Sequence, residues 1–366
     1  MEKPGPVSAR ELMALAVVMA VALLLRLRHF DMLLPWFVYL DETRTTEVAL
    51  YLLRNCTIDT SYTFYPALAF YVNAIGFLGW AVFGHLGTFL AQGADAVFAI
   101  FHELSAQQPE AILVSRGVSL VFAMGAIVFT HLLARQYLEW RWALACTLLV
   151  ALNSMHISVS VLGKVDAINL FWMCAAYYAG VKYWRGERLL RWLVPASVFA
   201  GFSLVTKNNY QLCVVVGVLA LMNGLQEKES WYRFFVDTLH FPFVWVRALL
   251  GGRKVSLKTG EAQVWVFLVV VFAAAFIGSP YTFIRFQDTL VTAGWLYKQA
   301  EIISTYHIPE IFGKVRGDND STTILVETRY VLTNVEKFYS IDNKDPREYL
   351  KILSHTEDLR KLLYDL

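Results

Sequence analysis

The stretch GVSLVFAMGAIVFTHLLA, residues 117–134, decides the fold class because it contains no Asp, Glu, Lys or Arg. Arg116 and Arg135 frame it, and a helix that crosses a membrane needs about 20 mostly apolar residues. Of the 366 residues 57% are hydrophobic and 17% are charged, whereas soluble globular domains carry about 25% charged residues. The composition therefore indicates a membrane protein.

Similar apolar runs recur along the chain and predict further spans. They lie at 12–27, 59–95, 142–163, 167–181, 192–206, 208–226 and 262–284. No strand repeat appears that could close a barrel and satisfy backbone hydrogen bonds in lipid. We therefore expect an all-α, polytopic membrane protein with about 8–9 spans. The segment 59–116 must cross an even number of times or not at all. We prefer two short crossings, the second through 86–101, to a re-entrant element.

The turns between these runs fall into two classes by charge. Turns rich in Arg and Lys face the cytoplasm by the positive-inside rule, and they lie at 135–141, 182–191 and 227–258. The alternating turns then face the other side, and they lie at 164–166, 206–209 and 278–281. Arg116, at the start of its span, joins this second side, and so do Asp41 and Glu42 if the N-terminus is cytoplasmic. The pattern thus predicts that the outer face gathers several ionisable side chains.

Charge and cysteine usage exclude other classes of function. A net charge of +2 gives no indication of a nucleic-acid partner. The cysteines have no paired metal-ligand spacing and predict neither a zinc site nor a disulfide framework; they are Cys56, Cys146, Cys174 and Cys213.

Taken singly, the ionisable residues of the outer face have structural interpretations. Asp41 precedes an amphipathic helix predicted over 43–54 and could cap it. The apolar face of that helix consists of Val48, Ala49, Leu52 and Leu53. Caps or interface anchors would equally explain the other residues of this face, which are Arg116, Lys164, Asp166 and Lys207. His156 lies on an apolar helix and is interpreted as a packed or hydrogen-bonded core residue.

Taken together, these carboxylates and cations suit a transfer reaction. A carboxylate can accept the proton of an attacking hydroxyl as a general base. Neighbouring cations can neutralise a departing lipid phosphate, on which negative charge develops in the transition state. The acidic pair Asp41-Glu42, with Arg44 beside it, is the centre of this hypothesis.

The ordered series of these motifs resembles a known family. The series consists of Leu40-Asp41-Glu42-Thr43-Arg44, Tyr65-Pro66-Ala67-Leu68, Arg116, Gly163-Lys164-Val165-Asp166 and the helix from Gly201 to Thr206-Lys207. It is similar to the GT-C glycosyltransferases of the dolichyl-phosphate-mannose protein mannosyltransferase type, a group that includes the lipid A aminoarabinose transferases. The resemblance covers 12–306.

The resemblance implies transfer, with inversion, from a polyprenyl-phosphate-linked sugar to a hydroxyl acceptor on the non-cytoplasmic face. The acceptor would be a protein, a lipid or a glycan, and no metal or cofactor would be needed. Asp41 would be the catalytic base, assisted by Glu42 and Asp166. The donor phosphate would be bound by Arg44, Arg116, Lys164, Lys207 and Tyr281. The implied location is a plasma, inner or endoplasmic-reticulum membrane, with the site on the outer or lumenal face.

The resemblance also implies a domain division and leaves alternatives open. A GT-C type transmembrane domain would span 1–306 with an outer loop at 28–62, and a polar tail would occupy 307–366. Tyr65 and Thr45 depart from the residues common in the family. The family usually continues through further spans, so we expect a short member, a fragment or a chain that needs a partner subunit. The alternatives are a non-catalytic GT-C scaffold subunit and, less favoured, a polytopic transporter or flippase.

Overall fold

The computed structural model describes residues 5, 7–31, 34, 40–60, 66–185, 190–208, 210–225, 230–251, 256 and 259–284. In these ranges all regular structure is helical, as predicted. The helices are α1 (Ala9–Leu27), α2 (Leu40–Arg54), α3 (Leu68–Gly84), α4 (Leu86–Gln92), α5 (Ala94–Glu103), α6 (Pro109–Ala134), α7 (Trp140–Leu152), α8 (Ser154–Ser160), α9 (Val165–Trp184), α10 (Leu190–Lys207), α11 (Tyr210–Leu225), α12 (Trp231–Leu250), α13 (Gly260–Gly278) and α14 (Pro280–Ile284). The predicted domain boundary at 306 and the tail 307–366 lie outside the described residues.

The centre of the molecule is a bundle in which α9 packs against α6 and α10, and α10 packs against α13. Small residues let these helices approach closely, as is usual where apolar helices meet without a hydrophobic driving force. A Cβ on Gly201 of α10 would lie 2.8 Å from the Val271 carbonyl oxygen of α13. The helix pair is therefore in backbone contact at that point.

The helix termini gather at two ends of the bundle, each joined by polar contacts. We call them the acidic-pair end and the basic end. At the acidic-pair end, α2 begins, α10 ends and the turn between α8 and α9 is located. At the basic end, Glu11 of α1 accepts hydrogen bonds from His131 (3.1 Å) and Arg135 (2.7 Å). A buried triad of Tyr183, Asn223 and Gln263 joins α9, α11 and α13 there. The two ends correspond to the two predicted classes of turn.

Two helices, α6 and α13, are long and apolar enough to cross a membrane. Two bent pairs also qualify if each counts as one span: α3 with α4, bent by 82°, and α7 with α8, bent by 62°. The structure therefore gives two to four candidate spans by length and composition, a coarser result than the 8–9 predicted. These candidate spans support a membrane protein, while the number of 8–9 spans stays a prediction.

The segment between the acidic pair and α6 differs from the preferred interpretation of two short crossings. The stretch 86–101 is divided into α4 and α5 at Gly93, whose φ of +79° ends the first helix. Helix α5 packs on α2, and Arg54 donates to the carbonyl oxygens of Phe101 (2.7 Å) and Leu104. The return path is thus a pair of short helices, of which the second lies against α2.

Candidate functional site at the acidic-pair end

Helix α2 has the amphipathic face expected of it. Val48, Ala49, Leu52 and Leu53 are buried in one cluster with Phe70 and Phe77 of α3 and Phe101 of α5. Because this face is fixed, the first turn of α2 is held at the junction with α6. Asp41 and Glu42 both lie in that first turn. The alternative of Asp41 as a cap outside the helix is therefore not found, since Asp41 lies within α2.

Glu42 forms a buried ion pair with Arg116 of α6. Its two carboxylate oxygens accept from Arg116 Nε at 2.9 Å and Nη2 at 3.0 Å, and the side chains are 0% and 1% exposed. Arg116 Nη1 also donates to the Phe30 carbonyl oxygen at 2.8 Å. This two-pronged geometry is the strongest form of the Arg–carboxylate contact. It joins α2 to α6 and to the segment that follows α1.

The turn between α8 and α9 is attached to the same carboxylate. The Gly163 backbone N–H donates to Glu42 Oε1 at 2.7 Å. A Cβ at Gly163 would lie 2.8 Å from Ser115 Cβ, so the turn is in close contact with α6. Ser119 Oγ donates to the Lys164 carbonyl oxygen at 3.2 Å. These contacts fix the position from which Lys164 and Asp166 extend.

Two more exposed ion pairs lie on either side of this turn. Lys164 Nζ is 3.2 Å from Asp41 Oδ2, and the Asp41 side chain is 59% exposed. Two residues further on, Asp166 pairs with Lys207 at the end of α10. Six of the predicted site residues are therefore brought together in three ion pairs along α2, α6, α9 and α10. They are Asp41, Glu42, Arg116, Lys164, Asp166 and Lys207.

Arg44 and Tyr281 make other contacts that the structure describes. Arg44 pairs with Glu47 of its own helix at 3.3 Å. Tyr281 of α14 interacts electrostatically with Tyr71 of α3, whose hydroxyl donates to the Ile58 carbonyl oxygen at 2.6 Å. The start of α14 is held there because Ser279 Oγ accepts from the Ala67 N–H at 2.9 Å.

The predicted site residues, which the sequence did not distinguish, differ in burial. Arg116 is enclosed, so its predicted role as a direct phosphate ligand does not fit this geometry. Glu42 accepts three hydrogen bonds and is likewise unsuited to take up a proton from a substrate. Asp41, Lys164, Asp166 and Lys207 are the members of the group that solvent reaches. The geometry thus suits Glu42 and Arg116 for positioning and these four for contact with a ligand.

Sequence reasoning missed a neighbouring polar cluster that joins α1 to α8. Arg26 is 0% exposed, and its guanidinium donates to Ser160 Oγ (3.1 Å) and to the carbonyl oxygens of Ala22 and Ala151. His156 Nδ1 lies 2.7 Å from Arg26 Nη2, which confirms that His156 is a hydrogen-bonded core residue. The signal was available, because an arginine inside an apolar run is rare unless it faces the protein interior.

An apolar groove lies between α3 and α6, close to the Glu42–Arg116 pair. It has a volume of about 660 Å³ and extends from Glu110, in the first turn of α6, to Phe122. Gly117, the residue after Arg116, is part of its wall, together with Gly76 and Trp80 of α3. Ligand sites in proteins commonly have volumes of about 300–1,000 Å³ and mostly apolar walls. The groove therefore has the size and lining of a site for an apolar chain.

In the part of the chain that the structure describes, no group of three or more His, Cys, Asp or Glu side chains is arranged to hold a metal ion. Comparisons of the chain with known protein families, curated proteins and solved structures give no match.

Proposed function

We propose that this protein is a membrane glycosyltransferase, which moves a sugar from a polyprenyl-phosphate donor to a hydroxyl acceptor. The observation that carries the proposal is the exposed Asp41 carboxylate, which is paired with Lys164 at the start of α9, where Asp166 is paired in turn with Lys207 at the end of α10. The acidic-pair end thus offers the Asp41 carboxylate and the ammonium groups of Lys164 and Lys207. A base for the acceptor and cations for a leaving phosphate are the two requirements of this reaction.

In the proposed reaction Asp41 accepts the proton of the acceptor hydroxyl as its oxygen attacks the anomeric carbon. A new C–O glycosidic bond forms, and the bond between the anomeric carbon and the phosphate oxygen breaks. The electron pair leaves with the polyprenyl phosphate, whose negative charge Lys164 and Lys207 neutralise. Glu42 and Arg116 hold the first turn of α2 against α6, and Asp166 positions Lys207.

The groove between α3 and α6 supports a lipid-linked donor. Its apolar wall suits an isoprenoid chain, and it begins near the end of α6 that carries Arg116. In the proposed arrangement the phosphate lies at the acidic-pair end while the chain follows the groove along α3 and α6. The protein would then be a multi-pass membrane protein with its site on the outer or lumenal face. The acceptor would be a protein, lipid or glycan.

One observation favours a second candidate, the non-catalytic scaffold subunit. Each carboxylate of the cluster is already in an ion pair, and such pairs also serve to hold helices together. In that case the acidic-pair end would bind a partner subunit, and Asp41 would not act as a base.

Measuring sugar transfer by the wild type and by Asp41→Asn distinguishes the glycosyltransferase from the scaffold subunit. The purified full chain, in liposomes, is given radiolabelled polyprenyl-phosphate sugars with hydroxyl acceptors, and transferred label is measured. General-base catalysis is typically worth about 10²–10⁴-fold, so we expect a loss of that order. Glu47→Gln is the matched control, since Glu47 is another exposed carboxylate of α2, and it retains transfer. Equal transfer by Asp41→Asn and wild type overturns the assignment of Asp41, and no release of sugar by the wild type favours the scaffold.

A further inference from the structure

Helix α12 occupies a segment that the charge pattern assigned to a cytoplasmic turn. The segment 227–258 contains six basic and three acidic residues. Within it the structure has a continuous helix of 20 residues, Trp231–Leu250. Most of its large apolar side chains are exposed to the surroundings, although the helix belongs to the basic end of the molecule.

The side chains of α12 form three separate faces at helical spacing. One face contacts the bundle through Phe234, which is fully buried, and Thr238. The second face is mostly polar: its polar members are Arg233, Asp237, His240 and Arg247, and the exposed Val244 lies among them. The third face is apolar and exposed, and its members are Tyr232, Phe235, Leu239, Phe243, Val246 and Leu250. A helix that lies flat in a membrane interface needs such an apolar face opposite a charged face.

The contacts of α12 place its first half where α11 ends and α13 begins. Phe234 packs against Gly224 near the end of α11, and Gly224 also touches Gly260, the first residue of α13. The Trp265 indole N–H of α13 donates to the Thr238 carbonyl oxygen at 2.7 Å. An antiparallel hairpin would instead bring the end of α12 to the start of α13. Helix α12 therefore does not form such a pair with α13.

The second half of α12 extends beyond these contacts. Phe243 is 75% exposed and Leu250 is 86% exposed, so this half does not pack along the described part of the bundle. Contiguous apolar faces of this size on a protein surface mark a site of association with protein or membrane. Here Trp231, Tyr232 and Trp245 add the aromatic side chains that concentrate at membrane–water interfaces.

We propose that α12 lies flat in the membrane interface at the basic end, with its exposed apolar face in the acyl boundary and its polar face toward water. Charge complementarity selects a lipid surface, because the adjoining basic residues suit anionic headgroups. They are Arg247 in the last turn of the helix and, next along the sequence, Arg253, Lys254 and Lys258. The helix would hold the end of α11 and the start of α13 at a fixed depth through Phe234 and Thr238. This assignment rests on a membrane location but not on the catalytic role of Asp41.

Depth measurement by spin labelling tests this placement. Single cysteines are introduced into the full chain after its four native cysteines are replaced by alanine. The positions are Phe235→Cys, Leu239→Cys, Phe243→Cys and Val246→Cys on the apolar face, with Arg233→Cys and His240→Cys on the polar face. Nitroxide-labelled protein is reconstituted in phosphatidylcholine–phosphatidylglycerol vesicles. Collisions with apolar oxygen and with a water-soluble nickel chelate are then compared. Thr238→Cys is the reference for a position covered by the bundle.

A flat helix gives oxygen-accessible labels at one shallow depth along the apolar face, about 5–10 Å below the headgroups. The polar-face labels meet the nickel chelate. A helix that crosses the membrane gives a depth change of about 16 Å between positions 235 and 246, at 1.5 Å per residue, and overturns the proposal. Apolar-face labels as inaccessible as Thr238→Cys indicate a protein partner, and nickel-accessible ones indicate a water-exposed helix. Either result also overturns it, and neither affects the Asp41 experiment.

Discussion

The Glu42–Arg116 pair and the Asp41–Lys164 pair begin at adjacent residues of one helix and have opposite environments. Glu42 and Arg116 are 0% and 1% exposed, whereas Asp41 is 59% exposed. Successive side chains of a helix point about 100° apart, since 3.6 residues make a turn, so only one of two neighbours can face α6. Side chains of the same chemistry are thereby given different tasks. The buried pair orders the helices, and the exposed pair is available to a ligand.

The largest expected effect on stability comes from removing one partner of the buried pair. Arg116→Met leaves the Glu42 carboxylate without its counter-ion among α2, α6 and the turn at Gly163. Breaking a buried ion pair in this way costs about 3–5 kcal/mol, because an uncompensated charge stays buried. The measurement is equilibrium unfolding in mixed micelles with increasing sodium dodecyl sulfate. Glu42→Gln is expected to lose stability to a similar degree.

The control for this effect is the exposed Arg44–Glu47 pair, which lies within α2. Arg44→Gln removes the contact with Glu47 and is expected to change stability by less than about 1 kcal/mol. The double variant Glu42→Gln with Arg116→Met is expected to lose less stability than the sum of the two single losses, since no charge stays unpaired. Losses that simply add would mean that the two side chains stabilise the fold independently.

An intermediate effect is expected at the turn that connects the two pairs. Gly163→Ala places a Cβ 2.8 Å from Ser115 Cβ, which forces the turn and α6 apart. Overpacking of this kind costs about 1–3 kcal/mol, and the displaced turn also shifts Lys164 relative to Asp41. Gly79→Ala is the matched control, because a Cβ there has nothing within 4 Å and α3 gains helix propensity. Equal unfolding curves for Gly163→Ala and Gly79→Ala would contradict this account of the turn.

The sequence predicted those features that depend on local periodicity. The buried face of α2 follows from the spacing of Val48, Ala49, Leu52 and Leu53, and it was predicted correctly. The burial of Glu42 rather than Asp41 could not be predicted, because Arg116 comes from another helix 74 positions along the chain. The close contact of Gly163 with Ser115 has the same origin. The segment 227–258 was interpreted as a turn because of its charged residues. The helical spacing of its apolar residues, which form part of the 20-residue α12, was therefore missed.

The smallest effect on stability is expected from the Asp41–Lys164 pair. Measuring this effect shows whether the pair stabilises the fold or is available to a ligand. Lys164→Gln removes the partner of Asp41 at the surface, where ion pairs contribute about 0.2–1 kcal/mol. Added salt screens such a pair, so the difference in unfolding free energy between wild type and Lys164→Gln is expected to shrink from low to high ionic strength. The Arg116→Met loss persists at high salt, because a buried pair is screened much less. If Lys164→Gln instead loses as much stability as Arg116→Met, then Asp41–Lys164 is a second structural pair. Its assignment to ligand contact would then be withdrawn.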